Sequence, residues 1–598
     1  MLRPSSDRLD YGDLLIPPPE YQADFALGTT YSLDLEALVG FPLALFLSEE
    51  MNESLLNNPL VALEGLRRSS QRIAVLCQGG QIKVPQNRNA AFSLLENSVF
   101  EVVLPQYRSF HPKTWLVRYQ DRENQPLYRL LVLSRNQTFD RSWDLAVCLE
   151  GKPAETPEDA AAATKQNRPL IAFVEYLRAK VKDRKKRNQI SQMLTELVHI
   201  RFDTNDPNYP SFSFLPLGIP QYEKQPNGLF ETYKDLLVIS PFISKGKVQQ
   251  LSNLALSNST RTLITQRKEI MKLPPELLKA FDVYAMKEAV VEGEEGLSGD
   301  DLDYEAYQNQ DIHAKFYARS KYGQHLFFVG SANCSERAFG GNVEFLLQLR
   351  YRKHGFRIQH LLDDLFGADE RENPFEQIKE LPEVDAPQTT DTDLLEKAIR
   401  QLCRSRSRAE VIPEGWQYRV TIKFSRIPQD IDFTIASLTG LQPVKLKQTT
   451  SLPLFPLEQL SEFYQVTASK EGASLARIIK IRTIGIPKER YKAIFKSVIR
   501  DRETFMKYVA YLLSDSWLLS SLEQMGTDRL GKGKWAAGWL QGPVLYENML
   551  KTVAREPERL NEIDRVIELI DDPEIIPNSF YQLYQTFTTA ARKVKKSD

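Results

Sequence analysis

Only six histidines and four cysteines occur in 598 residues. The cysteines, Cys77, Cys148, Cys334 and Cys403, form no CxxC pair, which argues against a disulfide framework and a thiolate zinc site. No run approaches the roughly 20 apolar residues of a membrane helix. The densest, 41–47 (FPLALFL), reads as buried core. The opening MLRPSSDRLDYGDLL is polar and has no apolar signal core, so a cytoplasmic location and no membrane partner are the expectation. Excess charge of one sign is also missing. With 77 Lys+Arg against 78 Asp+Glu, the chain is no uniformly basic nucleic-acid coat, and polyanion binding must come from local patches. No helicase or NTPase motif occurs, so any unwinding would fall to a partner such as a helicase or ATPase subunit. What is present, 42% hydrophobic residues over a length of about four domains, suffices for packed cores.

Short apolar runs at 73–77 (IAVLC) and 127–133 (LYRLLVL) predict buried strands. A polar, alanine-rich stretch (151–168) precedes a helix expected from Pro169, with a basic run at 180–187. The pattern then restarts: 236–240 (LLVIS) resembles 73–77, and 326–329 (LFFV) resembles 127–133. This is an internal duplication with a period of about two hundred residues, too long for a solenoid. Strands alternating with helices predict an α/β fold with partly parallel sheets. An acidic loop, 288–305, interrupts the second copy. A Pro/Thr/Asp-rich linker (380–393) leads to a short basic helix (394–408). Strict alternation at 416–424, and similar runs at 430–435, 463–467 and 476–482, predict a small β domain. From Pro487 the spacing turns helical (Tyr491, Phe495, Val498, Phe505, Val509, Leu512) to the end, with a loop at 531–533. The expected division is two halves, 1–195 and 196–385, a linker and basic helix over 386–408, a β domain over 409–485, and a helical domain over 486–598.

Two of the six histidines open the same kind of tripeptide, His111-Pro112-Lys113 and His313-Ala314-Lys315. Each precedes an apolar strand that ends in Ser-x-Asn: Ser134-Arg135-Asn136 and Ser331-Ala332-Asn333. In a strand, residues i and i+2 share a face, so each His projects with its Lys and each Ser with its Asn. If the two strands pair, an imidazole, an ammonium, a hydroxyl and a carboxamide converge. That set suits a phosphate: Lys supplies charge, Ser and Asn supply donors, and His can attack or donate a proton near neutral pH. Two such sets face to face could break and remake a phosphodiester through a phosphohistidine. One imidazole would be the nucleophile and the other the acid and base. Each imidazole needs an acceptor at its far nitrogen, and Glu344 and Asp144 are candidates for that role.

At these residues the chain resembles the phospholipase D superfamily, whose signature is HxK, then GSxN, then a downstream Glu. The second copy carries His313, Lys315, Gly330-Ser331-Ala332-Asn333 and Glu344; the first lacks the glycine. The Asp that many members carry shortly after Lys is replaced by Arg118 and Ser320, a form similar to the tyrosyl-DNA phosphodiesterase branch and to some bacterial nucleases. The resemblance spans roughly residues 30–375. It implies a duplicated phospholipase D-like fold, two pseudo-symmetric mixed-sheet halves, here followed by the β and helical domains. It implies a metal-independent phosphodiesterase needing no cofactor, with His111 the usual nucleophile, and bacterial proteins of this mixture resemble anti-phage effectors. Nucleic acid, DNA before RNA, is the expected substrate, and the basic tracts 180–187, 400–408 and 592–596, or Gly531-Lys532-Gly533-Lys534-Trp535, are where it could bind. The rivals are a lipid phosphodiesterase or phosphatidyl transferase, and a non-catalytic nucleic-acid-binding subunit.

Overall fold

The computed structural model describes residues 2, 14–42, 45, 59–105, 108–138, 142–223, 228–287, 311–367, 373–380, 391–440, 442–513, 549–552 and 560–594. The acidic loop at 288–305, most of the linker and the 531–535 loop lie outside the described residues.

Fifteen strands build two sheets. The first contains β1 (Gln22–Thr30), β2 (Ile73–Gln78), β3 (Val99–Val102), β4 (Thr114–Gln120), β5 (Pro126–Leu133), β6 (Ala146–Pro153) and β7 (Ile200–Asp203), in the order β3-β2-β1-β4-β5-β6-β7. The second contains β8 (Ser211–Leu217), β9 (Tyr233–Ile239), β10 (Ala255–Ile264), β11 (Asp282–Met286), β12 (Phe316–Lys321), β13 (Gln324–Gly330), β14 (Glu344–Tyr351) and β15 (Phe375–Gln377). Its order is β15-β11-β10-β9-β12-β13-β14-β8. The six strands from β1 to β6 thus recur as β9 to β14, with the same neighbours and directions. β1 is parallel to β2 and antiparallel to β4, just as β9 is parallel to β10 and antiparallel to β12. The predicted mixed α/β class and duplication are both present.

The register of the repeat differs from the one the apolar runs suggest. The counterpart of 236–240 is the end of β1, not 73–77, which corresponds to the end of β10. Composition hid β1 (QADFALGTT), a polar-looking central strand that the sequence reading passes over. Its Gly28 faces Trp115 across the ladder, and a Cβ there would lie 2.7 Å from the indole. Two helix boundaries also move. The helix expected from Pro169 starts earlier, as Pro157–Arg178, with Thr156 capping the Asp159 N–H and Pro157 in the first turn, where a missing N–H costs nothing. Within 180–187, Asp183 caps a new helix, Arg184–Leu197, so that basic run spans a break.

One hydrophobic core lies between the two sheets. Phe25, Leu27, Leu76, Leu116, Leu130 and Val132 of the first meet Leu237, Ile239, Phe316, Phe327, Val329 and Leu347 of the second. Phe173 and Ile190 of the two helices join the same core. The alternate residues of the first sheet (Ala26, Val75, Val117, Leu131) enter a second core with Phe495, Phe505, Val509 and Phe580 of the carboxy-terminal helices. This is the period-2 division a sheet buried on both faces requires.

Beyond the linker, the helix is Asp391–Arg404, and the chain is already a strand by Ser407. It buries Leu395, Ile399 and Leu402. The strands β16 (Ser407–Glu414), β17 (Gln417–Phe424), β18 (Asp432–Ser437), β19 (Val444–Lys445), β20 (Thr449–Phe455), β21 (Phe463–Lys470), β22 (Ala473–Lys480) and β23 (Thr483–Ile484) form two four-stranded sheets, β20-β17-β16-β23 and β19-β18-β21-β22. An antiparallel bridge, Ile82 to Ile478, ties this unit to the first half. So does the buried Glu96 carboxylate, which accepts from Arg490 (2.8 Å) and Ser461 (2.7 Å). The helices Arg490–Val498, Arg502–Leu513, Leu560–Ile570 and Asn578–Val594 follow; Arg592 of the last basic tract falls in the final one, and residues 595–598 lie outside the described residues.

Candidate active site

Each HxK tripeptide immediately precedes a central strand of its sheet: His111-Pro112-Lys113 runs into β4 and His313-Ala314-Lys315 into β12. What fixes their position comes from the opposite half. Parallel bridges join Phe110 to Val343 and Ile312 to Trp143. The His111 N–H donates to the Val343 carbonyl at 2.9 Å, and the His313 N–H donates to that of Trp143 at 3.0 Å. The residue after each acceptor carries a carboxylate, Glu344 and Asp144.

Support of the histidines is therefore crossed. His111 Nδ1 lies 2.8 Å from Glu344 Oε2. His313 Nδ1 lies 3.1 Å from the Ser134 carbonyl and 3.5 Å from Asp144 Oδ1. An acceptor at Nδ1 puts the proton on that nitrogen and leaves the Nε2 lone pair outward in both rings. Lys113 Nζ sits 3.0 Å from His111 Nε2 and donates to the His111 carbonyl at 3.2 Å. Lys315 Nζ donates to the carbonyls of His313 (2.5 Å) and Ser134 (3.3 Å). Both ammonium groups are fully buried.

The serines do something other than the phosphate donation expected of them. Ser331 Oγ donates to Glu344 Oε2 at 2.6 Å and accepts from the Phe345 N–H at 3.0 Å. Ser134 Oγ donates to Asp144 Oδ1 at 3.1 Å and accepts from the Leu145 N–H at 2.8 Å. Both are fully buried, and their protons are committed to the carboxylates behind the opposite histidines. Each serine hydroxyl therefore ties its carboxylate to the backbone beside it. Asn136 and Asn333 remain partly exposed, with Asn136 Oδ1 3.4 Å from the Ser32 N–H and Asn333 Oδ1 buried without a partner. Gly330, the glycine absent from the first copy, has φ +150°, and a Cβ there would lie 2.2 Å from the Phe345 carbonyl.

Burial dominates the electrostatics. It pushes the His111 pKa down to about 4; Glu344 opposes this and Lys113 adds to it, with Lys315 contributing from the other half. His313 is lowered by burial and then by Lys315, with Asp144 opposing and Lys113 adding. Each histidine thus feels both ammonium groups, so the two tripeptides share one electrostatic site. Neutral imidazoles beside two cations have the chemistry of a nucleophile and a base, in a field of the sign that would attract an anion.

Several supporting residues escape the motif reading. Gln78, at the end of β2, accepts the Phe110 N–H at 2.7 Å; Gln266, just past β10, donates to the Ile312 carbonyl at 3.2 Å. Each holds the residue before a histidine. Thr30 Oγ1 accepts from the Gln137 N–H at 3.0 Å, and Ser240 Oγ accepts from the Cys334 N–H at 2.9 Å, pinning the loop just after each Asn. The signal was the repeat itself: LCQ against ITQ and GTT against VIS become visible once the copies are aligned by strand order. Tyr31 adds a ring 5.1 Å from that of His111, its hydroxyl donating to Glu396 Oε1 at 2.7 Å. Among the described residues no group of three or more His, Cys, Asp or Glu is placed to hold a metal ion. No helix among them is long and apolar enough to cross a membrane.

No family model and no curated protein matches the chain. Solved structures do. Yeast tyrosyl-DNA phosphodiesterase is 15% identical, with 59% of this chain and 88% of that chain covered and a TM-score of 0.35. A mutant of the same yeast enzyme is 14% identical over 55% and 83%, at 0.34. Polyphosphate kinase from Porphyromonas gingivalis is 12% identical over 59% and 43%, at 0.30.

Proposed function

We propose that the chain is a phosphodiesterase that cleaves nucleic acid, DNA before RNA, through a phosphohistidine and without a metal ion. The observation that carries this is the crossed support: each partly buried histidine is oriented by a carboxylate or carbonyl of the other half, and each lies in the field of both lysines. A merely structural histidine needs no such reciprocity.

In the first step His111 Nε2 attacks phosphorus. The P–N bond forms as the bond to the leaving oxygen breaks, and that oxygen takes the proton from His313 Nε2. A neutral resting His313 must gain this proton as the anionic phosphate enters, which raises the imidazole pKa. Lys113 then moves from the lone pair of His111 to the non-bridging oxygens, with Lys315 opposite. In the second step His313 Nε2 takes a proton from water, the hydroxide attacks phosphorus, and the P–N bond breaks. The positive charge on phosphorylated His111 is stabilised by Glu344 at Nδ1. Asn136 and Asn333 are the remaining partly exposed donors at the phosphate.

Strand separation would fall to a partner ATPase. An anti-phage role is tested by phage plating with His111→Ala, which should abolish protection. The direct test is cleavage of labelled oligonucleotides in excess EDTA, wild type against His313→Ala. Activity that survives EDTA and is lost in the variant supports the proposal; complete loss in EDTA contradicts it.

A further inference from the structure

A line of cations leads away from His111 across the carboxy-terminal β unit. It begins at Arg400, whose Nη2 donates to the Arg108 carbonyl (3.0 Å) and to Ser109 Oγ (2.8 Å), two residues before His111. Its Nε is buried without an acceptor. One helical turn on, exposed Arg404 donates from Nε to the Leu104 carbonyl at 3.3 Å, on the same connection. Burial first, and then the nearby Arg400, lower the pKa of this guanidinium. The helix ends there and the chain runs straight into β16. Ser405 and Ser425 join through their hydroxyls at 3.0 Å, which brings Arg406 beside Arg426. Arg408 and Lys423 then stand directly opposite one another in the β16–β17 ladder. Like charges in that position destabilise a sheet.

Arg406, Arg408, Lys423 and Arg426 are all exposed, and among the described residues none has a carboxylate partner. Elsewhere on the same unit two cations are paired, Arg419 with Glu414 at 2.8 Å and Lys445 with Asp432 at 3.0 Å, while the exposed Lys447 and Arg482 have no carboxylate partner among the described residues. Glu410, the next outward residue of β16, ends the run. From Arg400 to Arg408 the line is roughly 20 Å long, at ~1.5 Å per helical and ~3.3 Å per strand residue. The net charge of −1 makes such a one-sign strip a local feature and not a reflection of composition.

We propose that this strip is the track for the sugar–phosphate backbone of a single nucleic-acid strand whose scissile phosphate sits at His111. The proposal rests on the phosphodiesterase reading and adds to it where the rest of the strand lies. A repeating anion is the occupant that one row of unpaired, solvated cations neutralises, and the row points at the catalytic loop.

The test is the fourfold variant Arg406→Ala, Arg408→Ala, Lys423→Ala, Arg426→Ala, all solvent-facing and so compatible with folding, checked by circular dichroism. Two substrates are compared: a long single-stranded oligonucleotide, and a nucleoside p-nitrophenyl phosphate too short to reach the strip. At about 0.1 M salt, KM for the long strand should rise at least tenfold, and the slope of log affinity against log salt should fall by about 3, four contacts at ~0.7 each. Turnover of the small substrate should stay within about twofold. Anisotropy with the labelled strand reads the same loss without relying on cleavage. Unchanged affinity and salt slope overturn the track. Failure of the wild type to cleave either substrate counts against the phosphodiesterase reading, while the anisotropy arm still decides the track.

Discussion

Replacing Glu344 by Gln is the sharpest perturbation of the site. Oε2 of Glu344 accepts two protons, from His111 Nδ1 at 2.8 Å and Ser331 Oγ at 2.6 Å, while Oε1 accepts from Asn342 Nδ2 at 3.2 Å. Asn342 cannot simply turn over, because its Oδ1 already accepts the Ser109 N–H at 2.9 Å. A glutamine therefore faces two poor choices. With its oxygen toward His111, its NH2 meets the Asn342 NH2. With its NH2 toward His111, both the imidazole and the serine lose their acceptor, and the ring tautomer that exposes the Nε2 lone pair is no longer favoured. Either way the charge that stabilises phosphorylated His111 is gone. A unit charge at 2.8 Å is worth about 6 kcal/mol at an effective dielectric of ~20, and a charge-assisted hydrogen bond about 1.5–3 kcal/mol net. At ~1.4 kcal/mol per decade, kcat should fall between about 10-fold and 10⁴-fold. KM should change little, since Glu344 is fully buried behind the imidazole. Single-turnover cleavage, with intermediate and product quenched separately, measures the step. A kcat within about threefold of wild type would refute the crossed support as a catalytic device.

Three further expectations follow from the same contacts. With the His111 pKa pushed down to about 4, the acid limb of kcat/KM should lie near pH 4, and a limb at the ordinary histidine value near 6.5 would contradict a desolvated nucleophile. The sign for stability is the same: the unfolded chain takes up this proton first, so stability falls as pH drops from about 6.5 to about 4, a slope that His111→Gln should reduce in urea titrations. His313→Ala should cripple cleavage of an ordinary alkoxide leaving group but spare release of p-nitrophenol, whose anion needs no proton, with the phosphoenzyme accumulating; equal losses on both would remove the acid role. Glu64 is fully buried between Arg67 (2.7 Å), Arg68 (2.6 Å) and the Tyr508 hydroxyl, so Glu64→Ala should cost about 3–5 kcal/mol in chemical denaturation, and Tyr508→Phe about 1.

The candidate site was legible because the phosphate handling proposed for it needs few residue types at strand spacing. His111, Lys113, His313 and Lys315 stand out against only six histidines. Asp144 and Glu344 could be picked as imidazole partners, but which half each serves could not. Sequence distance gives no hint that Glu344 meets His111, 233 residues away. The serines read as phosphate donors because i, i+2 projection says nothing of a carboxylate arriving from the neighbouring strand and taking the hydroxyl proton. The strand β1 escaped notice because Gly28 and its two threonines lower its apolar signal, although a glycine is what the Trp115 ring demands. Pro169 reads as a helix start because proline is at home in a first turn, yet it lies inside Pro157–Arg178, where the packing of Leu170, Phe173 and Val174 carries the helix past its missing N–H.

The central claim is that residue 111 is the nucleophile of a shared, metal-free phosphate site. It is tested most directly by quenching His313→Ala with a labelled p-nitrophenyl phosphodiester in excess EDTA and mapping the label by peptide mass spectrometry. We expect an acid-labile, base-stable adduct on the peptide holding His111, absent from His111→Ala. Label on another residue, or none despite turnover, would contradict it.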